Sequence, residues 1–172
     1  MSDACIVLKD VCCQIGGQTV LDIPALRVAS GERVAIIGHN GAGKSTLFKL
    51  LTGFVRPSHG QVQVLGRALH APMDAHAWRV LRTEVGQVLQ GLHLVGRLSA
   101  LDNVLLGALG RVGGWRSWTR CFVQADVQRA QAALQLVGLL ARADTRADQL
   151  SGGERQKVGV ARMLMQGPRL IL

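Results

Sequence analysis

The run Gly38-His39-Asn40-Gly41-Ala42-Gly43-Lys44-Ser45-Thr46 carries residue types that can hold phosphate, at the spacing the chemistry requires. Its glycines let backbone amides turn inward around anionic oxygens with no Cβ in the way. Lys44 can reach the terminal phosphates of a nucleoside triphosphate, and the Ser45 hydroxyl is a hard-oxygen ligand for Mg²⁺. The pattern Gly-x-x-x-x-Gly-Lys-Ser is complete from Gly38 to Ser45. A second candidate anion site is Ser151-Gly152-Gly153-Glu154, preceded by Leu150. A Ser-Gly-Gly at a helix start presents free amides and a hydroxyl beside the positive end of the helix. One phosphate loop holds one triphosphate, so a second phosphate-reading helix end suggests a shared site.

These residues must be positioned by a strand, a loop and a helix. Val34-Ala35-Ile36-Ile37 is continuously apolar and predicts a strand buried on both faces of a parallel sheet. Beyond the loop, Leu47–Leu51 predicts a helix closed by Gly53, with Pro57 further on. Upstream, Cys5–Leu8 and Val11–Ile15 alternate as β-structure, Gly16-Gly17 signals a turn, and Thr19–Leu21 and Leu26–Val28 resume the pattern. Downstream, Gln61–Leu65 predicts a strand, Asp74 a capped helix through Arg82, and Glu84–Leu89 a strand ending at Gln90.

From about residue 92 the chain reads as helical. Ser99 and Asp102 form a capping-box pattern before Val104–Leu109, and a helix over about 121–137 places Val127, Ala130, Leu134 and Val137 on one stripe. The helix after Ser151 continues through Met165, Gly167-Pro168 stops it, and Arg169–Leu172 opens an apolar strand.

Composition narrows the function classes. With 48% hydrophobic and 18% charged residues in a 172-residue chain, the composition is that of a folded domain rather than a disordered tail. No apolar run reaches the roughly 18–20 residues of a membrane span, and Met1-Ser2-Asp3 opens no signal-peptide pattern. The expectation is a soluble chain that stays where it is made. The four cysteines, Cys5, Cys12, Cys13 and Cys121, lack metal-ligand spacing and read as small residues in a reducing cytosol. The net charge of +9 suits phosphates or an anionic surface, but the basic residues are dispersed and only 3% of residues are aromatic, which argues against nucleic acid.

In order along the chain, the phosphate loop at 38–46, the strand-ending Gln90, the segment Ser99–Val104 and the signature Leu150–Glu154 resemble the nucleotide-binding subunits of ABC transporters. The resemblance covers essentially the whole chain. It implies an α/β P-loop ATPase core with an N-terminal antiparallel β-subdomain and a helical lobe, divided as 1–91, 92–152 and a return to the core over 153–172. It implies ATP and Mg²⁺ as ligands, with Gly38 to Thr46 around the nucleotide, Ser45 and Gln90 on the metal, and Lys44 and Gln90 serving hydrolysis. Ser151, Gly152, Gly153 and Glu154 would close over the γ-phosphate of a paired subunit, in a homodimer or beside a second nucleotide-binding subunit. Gln87 fits the strand-ending glutamine less well than Gln90. The further implications are transmembrane permease subunits, an indirect external binding protein, and a cytoplasmic location on the inner face of the membrane. Gly96–Arg111, followed by Trp115-Arg116-Ser117, is similar to the phosphonate-type importers.

Departures from the family are also visible. Leu89 replaces the usual Phe before the glutamine, and Ile15 stands where an aromatic usually stacks on adenine; no aromatic precedes Phe48. The Asp-Glu pair that the resemblance implies at the end of the last strand, and the later His, are not among the 172 residues. The chain is therefore expected to be an N-terminal piece of a longer ATPase, aggregation-prone and inactive alone. A soluble relative acting on DNA or the ribosome is the alternative; it is disfavoured by the compact spacing between Lys44 and Ser151.

Overall fold

The computed structural model describes residues 4–88, 94–110 and 122–172. They fall into two compact units, Met1–Leu81 and Arg82–Leu172.

The first unit is built on a four-stranded antiparallel sheet in the order β2-β1-β3-β4, from β1 (Ala4–Ile15), β2 (Gln18–Ala29), β3 (His59–Val64) and β4 (Arg67–Ala68). The β1–β2 hairpin turns at Gly16-Gly17, with φ of 60° and 79°, matching the primed turns that suit right-twisted strands. In β1 the buried residues are Ile6 and Leu8, then Val11 and Cys13, so the inward phase slips by one position. Asp10, with φ 48°, sits at that slip, and the pairing of β1 with β3 shifts register between Lys9 and Cys12. A bulge there keeps both halves of the strand apolar on the same face. Pro24 falls in β2, at the sheet edge where a missing N–H breaks no ladder. Helix α1 (Lys44–Leu51) buries Leu47, Leu50 and Leu51. Helix α2 (Ala75–Glu84) is capped by Asp74, whose carboxylate accepts from Ala77 N at 2.6 Å.

One expectation fails here. Val34–Ile37 is not a buried strand: residues 33–40 pair with no other strand among the described residues, and Val34, Ile36 and Ile37 are 49%, 39% and 93% exposed. An apolar run becomes a buried strand only where neighbours supply ladder partners and cover both faces, and the described strands do not.

The second unit packs three helices around one core. These are α3 (Ala100–Leu105), α4 (Gln124–Leu136) and α5 (Gly152–Gln166), which bury Ala100, Val104, Ala130, Leu134, Val158 and Ala161 against one another, with Val127 and Val137 at the margin. The expected stripe on α4 is thus the face that packs. The expected capping box on α3 is present, since Ser99 Oγ accepts from Asp102 N at 3.0 Å. Two short parallel strands, β5 (Val85–Gly86) and β6 (Leu170–Ile171), complete the unit. Cys121 lies outside the described residues, and Cys5, Cys12 and Cys13 are free thiols.

Candidate nucleotide site

The phosphate loop is shaped by its contact with β2. Gly43 is the N-cap of α1 with φ 84°, and a Cβ there would lie 2.6 Å from the Val20 carbonyl oxygen. Only glycine combines that backbone with that close approach. Ala42 N donates to His39 O at 3.2 Å, tightening the turn, and His39 Nδ1 sits 2.8 Å from Asn40 O. The first intrahelical bond runs from Leu47 N to Gly43 O at 2.9 Å. The amides of Lys44, Ser45 and Thr46 therefore have no acceptor within the helix and stand at its positive end.

Lys44 crosses the mouth of this loop. Its ammonium donates to Gly38 O at 2.6 Å and His39 O at 2.8 Å. Two of its three N–H groups are used to aim the side chain, and one is left for an anion. Beside it is a cleft of about 350 Å³ lined by Thr19 to Ile23 of β2, by Ile36 and Ile37, and by Ala42, Gly43, Lys44 and Leu47. That size suits a small-molecule ligand, and its polar lining is the Lys44 ammonium, the Thr19 hydroxyl and the Asp22 carboxylate together with backbone amides. Ile15 is 54% exposed at the end of β1, on the hairpin that leads directly into Thr19.

The second candidate site opens α5. Ser151 has extended backbone angles and caps the helix. Ser151 Oγ accepts from Glu154 N at 3.3 Å, while a Glu154 carboxylate oxygen accepts from Ser151 N at 2.8 Å. This reciprocal box consumes two of the end's donors and leaves the amides of Gly152 and Gly153, with the Ser151 hydroxyl proton, for an outside acceptor. Ser151, Gly152 and Gly153 are all exposed. Arg142 Nε lies 3.8 Å from Glu154. The hydrogen bonds from Ser151, then Arg142 and Lys157, hold the Glu154 carboxyl below the usual carboxylate range.

Among the described residues no group of three or more His, Cys, Asp or Glu could hold a metal ion. The Ser45 hydroxyl, in the first turn of α1 beside Lys44, is an oxygen donor of the kind that Mg²⁺ shares with phosphate oxygens. Gln90 and Leu89, the remaining site candidates, lie outside the described residues, as do Trp115, Arg116 and Ser117.

Residues 21–172 match the family described as ABC transporter. The chain belongs to the ABC transporter family. It is 45% identical over 156 residues to the phosphonates import ATP-binding protein of Rhodopseudomonas palustris (strain BisB18), covering 91% of this chain and 57% of that protein. The corresponding protein of Chromohalobacter salexigens is 46% identical over 156 residues, with the same two coverages of 91% and 57%. The chain thus spans somewhat over half the length of these curated relatives. Among solved structures, a dimeric ATP-binding cassette in a post-hydrolysis state bound to ADP and Pi superposes with a TM-score of 0.81 at 28% identity, covering 96% of this chain and 72% of that one. A nucleotide-free ATP-binding cassette from an ABC transporter gives 0.77 at 25% identity, covering 98% and 68%. The fold is accordingly the α/β P-loop cassette fold, with its antiparallel sheet and its helices.

Two residues in this ABC cassette escaped the reading of its sequence. Asn103 is fully buried, and its amide bonds to Val95, Leu98 and Ser99, fastening the segment that precedes α3. Gln166 bonds across more than eighty residues to the end of α2. The signal for the first is its place in the Ser99–Val104 segment, where no role was assigned to it, and the second has none.

Proposed function

We propose that this chain forms the nucleotide-handling part of an ATP-hydrolysing subunit of an ABC importer, coupling MgATP to uptake of a phosphonate or related oxyanion. One observation carries the reading: a single chain holds both a lysine-bearing phosphate loop and a solvent-facing Ser-Gly-Gly helix start. The names of the relatives, which are phosphonates import ATP-binding proteins, support the substrate class.

In this reading the amides of Gly41 to Thr46 and the Lys44 ammonium hold the β- and γ-phosphates, and Ile15 gives apolar contact to the base. The Ser45 hydroxyl, with Gln90, holds Mg²⁺. When bound, the ion neutralises charge on the phosphate oxygens. Ser151, Gly152 and Gly153 of one copy close over the γ-phosphate held by the other, in a head-to-tail pair. The Glu154 carboxylate keeps the Ser151 amide occupied and the helix start rigid, so donors are aimed before the phosphate arrives. Gln90 orients the attacking water and senses the membrane partner. The parts are proposed to assemble on the inner face of the membrane with permease subunits, served by an external binding protein. The sequence divisions 1–91, 92–152 and 153–172 correspond in this proposal to loop-bearing, partner-docking and return segments.

The test is phosphate release by the full-length protein assembled with its membrane subunits. Wild type hydrolyses MgATP, Lys44→Ala binds it more weakly, and Gly152→Asp binds MgATP yet fails to turn it over. A Gly152→Asp protein with wild-type turnover would remove the second phosphate contact from the mechanism.

A further inference from the structure

The far end of α5 is fastened to the start of β5 by one side chain. Gln166 Nε2 lies 2.9 Å from the carbonyl oxygen of Arg82, 3.0 Å from that of Thr83 and 3.0 Å from that of Val85. The first two are among the last carbonyls of α2, which have no donor within their own helix. An amide has two N–H groups, so they are shared among three acceptors. The same junction is closed by Arg169 N donating to Glu84 O at 2.8 Å, by Leu172 N donating to Gly86 O at 2.9 Å, and by Val88 N donating to Leu172 O at 3.3 Å. Gly86 packs so tightly that a Cβ would stand 2.6 Å from Pro168 Cγ and 3.0 Å from Met163 Cγ.

Helix α5 has 15 residues and is about 22 Å long at about 1.5 Å per residue. Its first turn holds the Ser-Gly-Gly anion site, and its last turn is the Gln166 junction. A tilt of about 3° over that length moves the first turn by about 1 Å, enough to disturb a reacting geometry.

We propose that Gln166 is a positioning residue: its donor amide locks the end of the signature helix to the strand leading toward Gln90, and so sets where Ser151 and Gly152 sit during turnover. The proposal rests on the ATPase reading above. It requires the donor, not merely the volume of the side chain. Gln166→Glu is isosteric and at neutral pH offers only acceptors to three carbonyls. Gln166→Lys restores N–H donors at similar reach.

Steady-state hydrolysis by the full-length protein, together with amide exchange over 85–88 and 170–172, tests this. Gln166→Glu is expected to lower kcat about tenfold with KM for MgATP within about twofold, and to speed exchange of the Val88 and Leu172 amides. Gln166→Lys is expected to recover kcat to within about threefold of wild type. An unchanged kcat in Gln166→Glu, or equal losses in Gln166→Glu and Gln166→Lys, overturns the donor role, as does unaltered amide exchange. If instead the wild type shows no Lys44-dependent hydrolysis, the ATPase reading falls and the catalytic consequence of Gln166 falls with it.

Discussion

Replacing Asn103 by Leu keeps the branching at Cγ, adds bulk at a fully buried position and removes every hydrogen bond its amide makes. Those bonds run from Val95 N to Oδ1 at 2.8 Å and from Nδ2 to Ser99 O at 2.9 Å, Val95 O at 3.1 Å and Leu98 O at 3.3 Å. Adding four full penalties would overstate the cost. Each of the three carbonyls keeps another donor: Leu98 N bonds Val95 O at 3.0 Å, Ala147 N bonds Leu98 O at 2.9 Å, and Asn103 N bonds Ser99 O at 3.0 Å. Only the Val95 amide loses its sole hydrogen bond among the described residues, and Val95 is 45% exposed, so water can replace it. The expected destabilisation is about 2–3 kcal/mol, from the lost and weakened hydrogen bonds and the crowding of the larger side chain. Asn103→Asp should cost more, about 3–5 kcal/mol, because a fully buried carboxylate oxygen then faces three carbonyls. Urea unfolding of the two variants and wild type measures both. A Leu variant less stable than the Asp variant, or two variants within about 0.5 kcal/mol of wild type, would refute this account of the cluster.

Gly43→Ala should weaken MgATP binding at least tenfold and destabilise the loop by about 2–4 kcal/mol, from the positive φ and the approach to Val20 O, as read by calorimetry and thermal unfolding. The lowered Glu154 pKa means that the capping box contributes above the ordinary carboxylate range and is lost as pH falls through the lowered value. Amide exchange at the start of α5 should therefore quicken on acidification in wild type but not in Glu154→Gln, which keeps the acceptor oxygen without titrating. Ile15→Tyr should tighten ATP by up to about tenfold and leave inorganic triphosphate unaffected, because stacking acts on the base alone. Equal gains for both ligands in a competition assay would place the base elsewhere.

What could be read from the sequence divides along a physical line. The Gly16-Gly17 hairpin, the box at Ser99 and the helix start at Ser151 are local chemistry, with partners three residues apart, and the phosphate loop is tied by Lys44 to carbonyls five and six positions earlier. Their structures follow from spacing. Val34–Ile37 was misread because hydropathy reports a wish for burial, and whether neighbours grant it is a tertiary fact. The bulge at Asp10 was invisible because a non-glycine residue with positive φ leaves no mark in composition. Gln166 looked like an ordinary polar residue near a helix end, and its acceptors lie 81 to 84 residues earlier.

The central claim is that the loop over 38–46 binds nucleotide phosphates through Lys44. Calorimetric titration of wild type and Lys44→Ala with MgATP tests it most directly. A lost charge-assisted hydrogen bond of about 1.5–3 kcal/mol predicts an affinity roughly 10- to 150-fold weaker in the variant. Equal affinities in the two proteins would contradict the account.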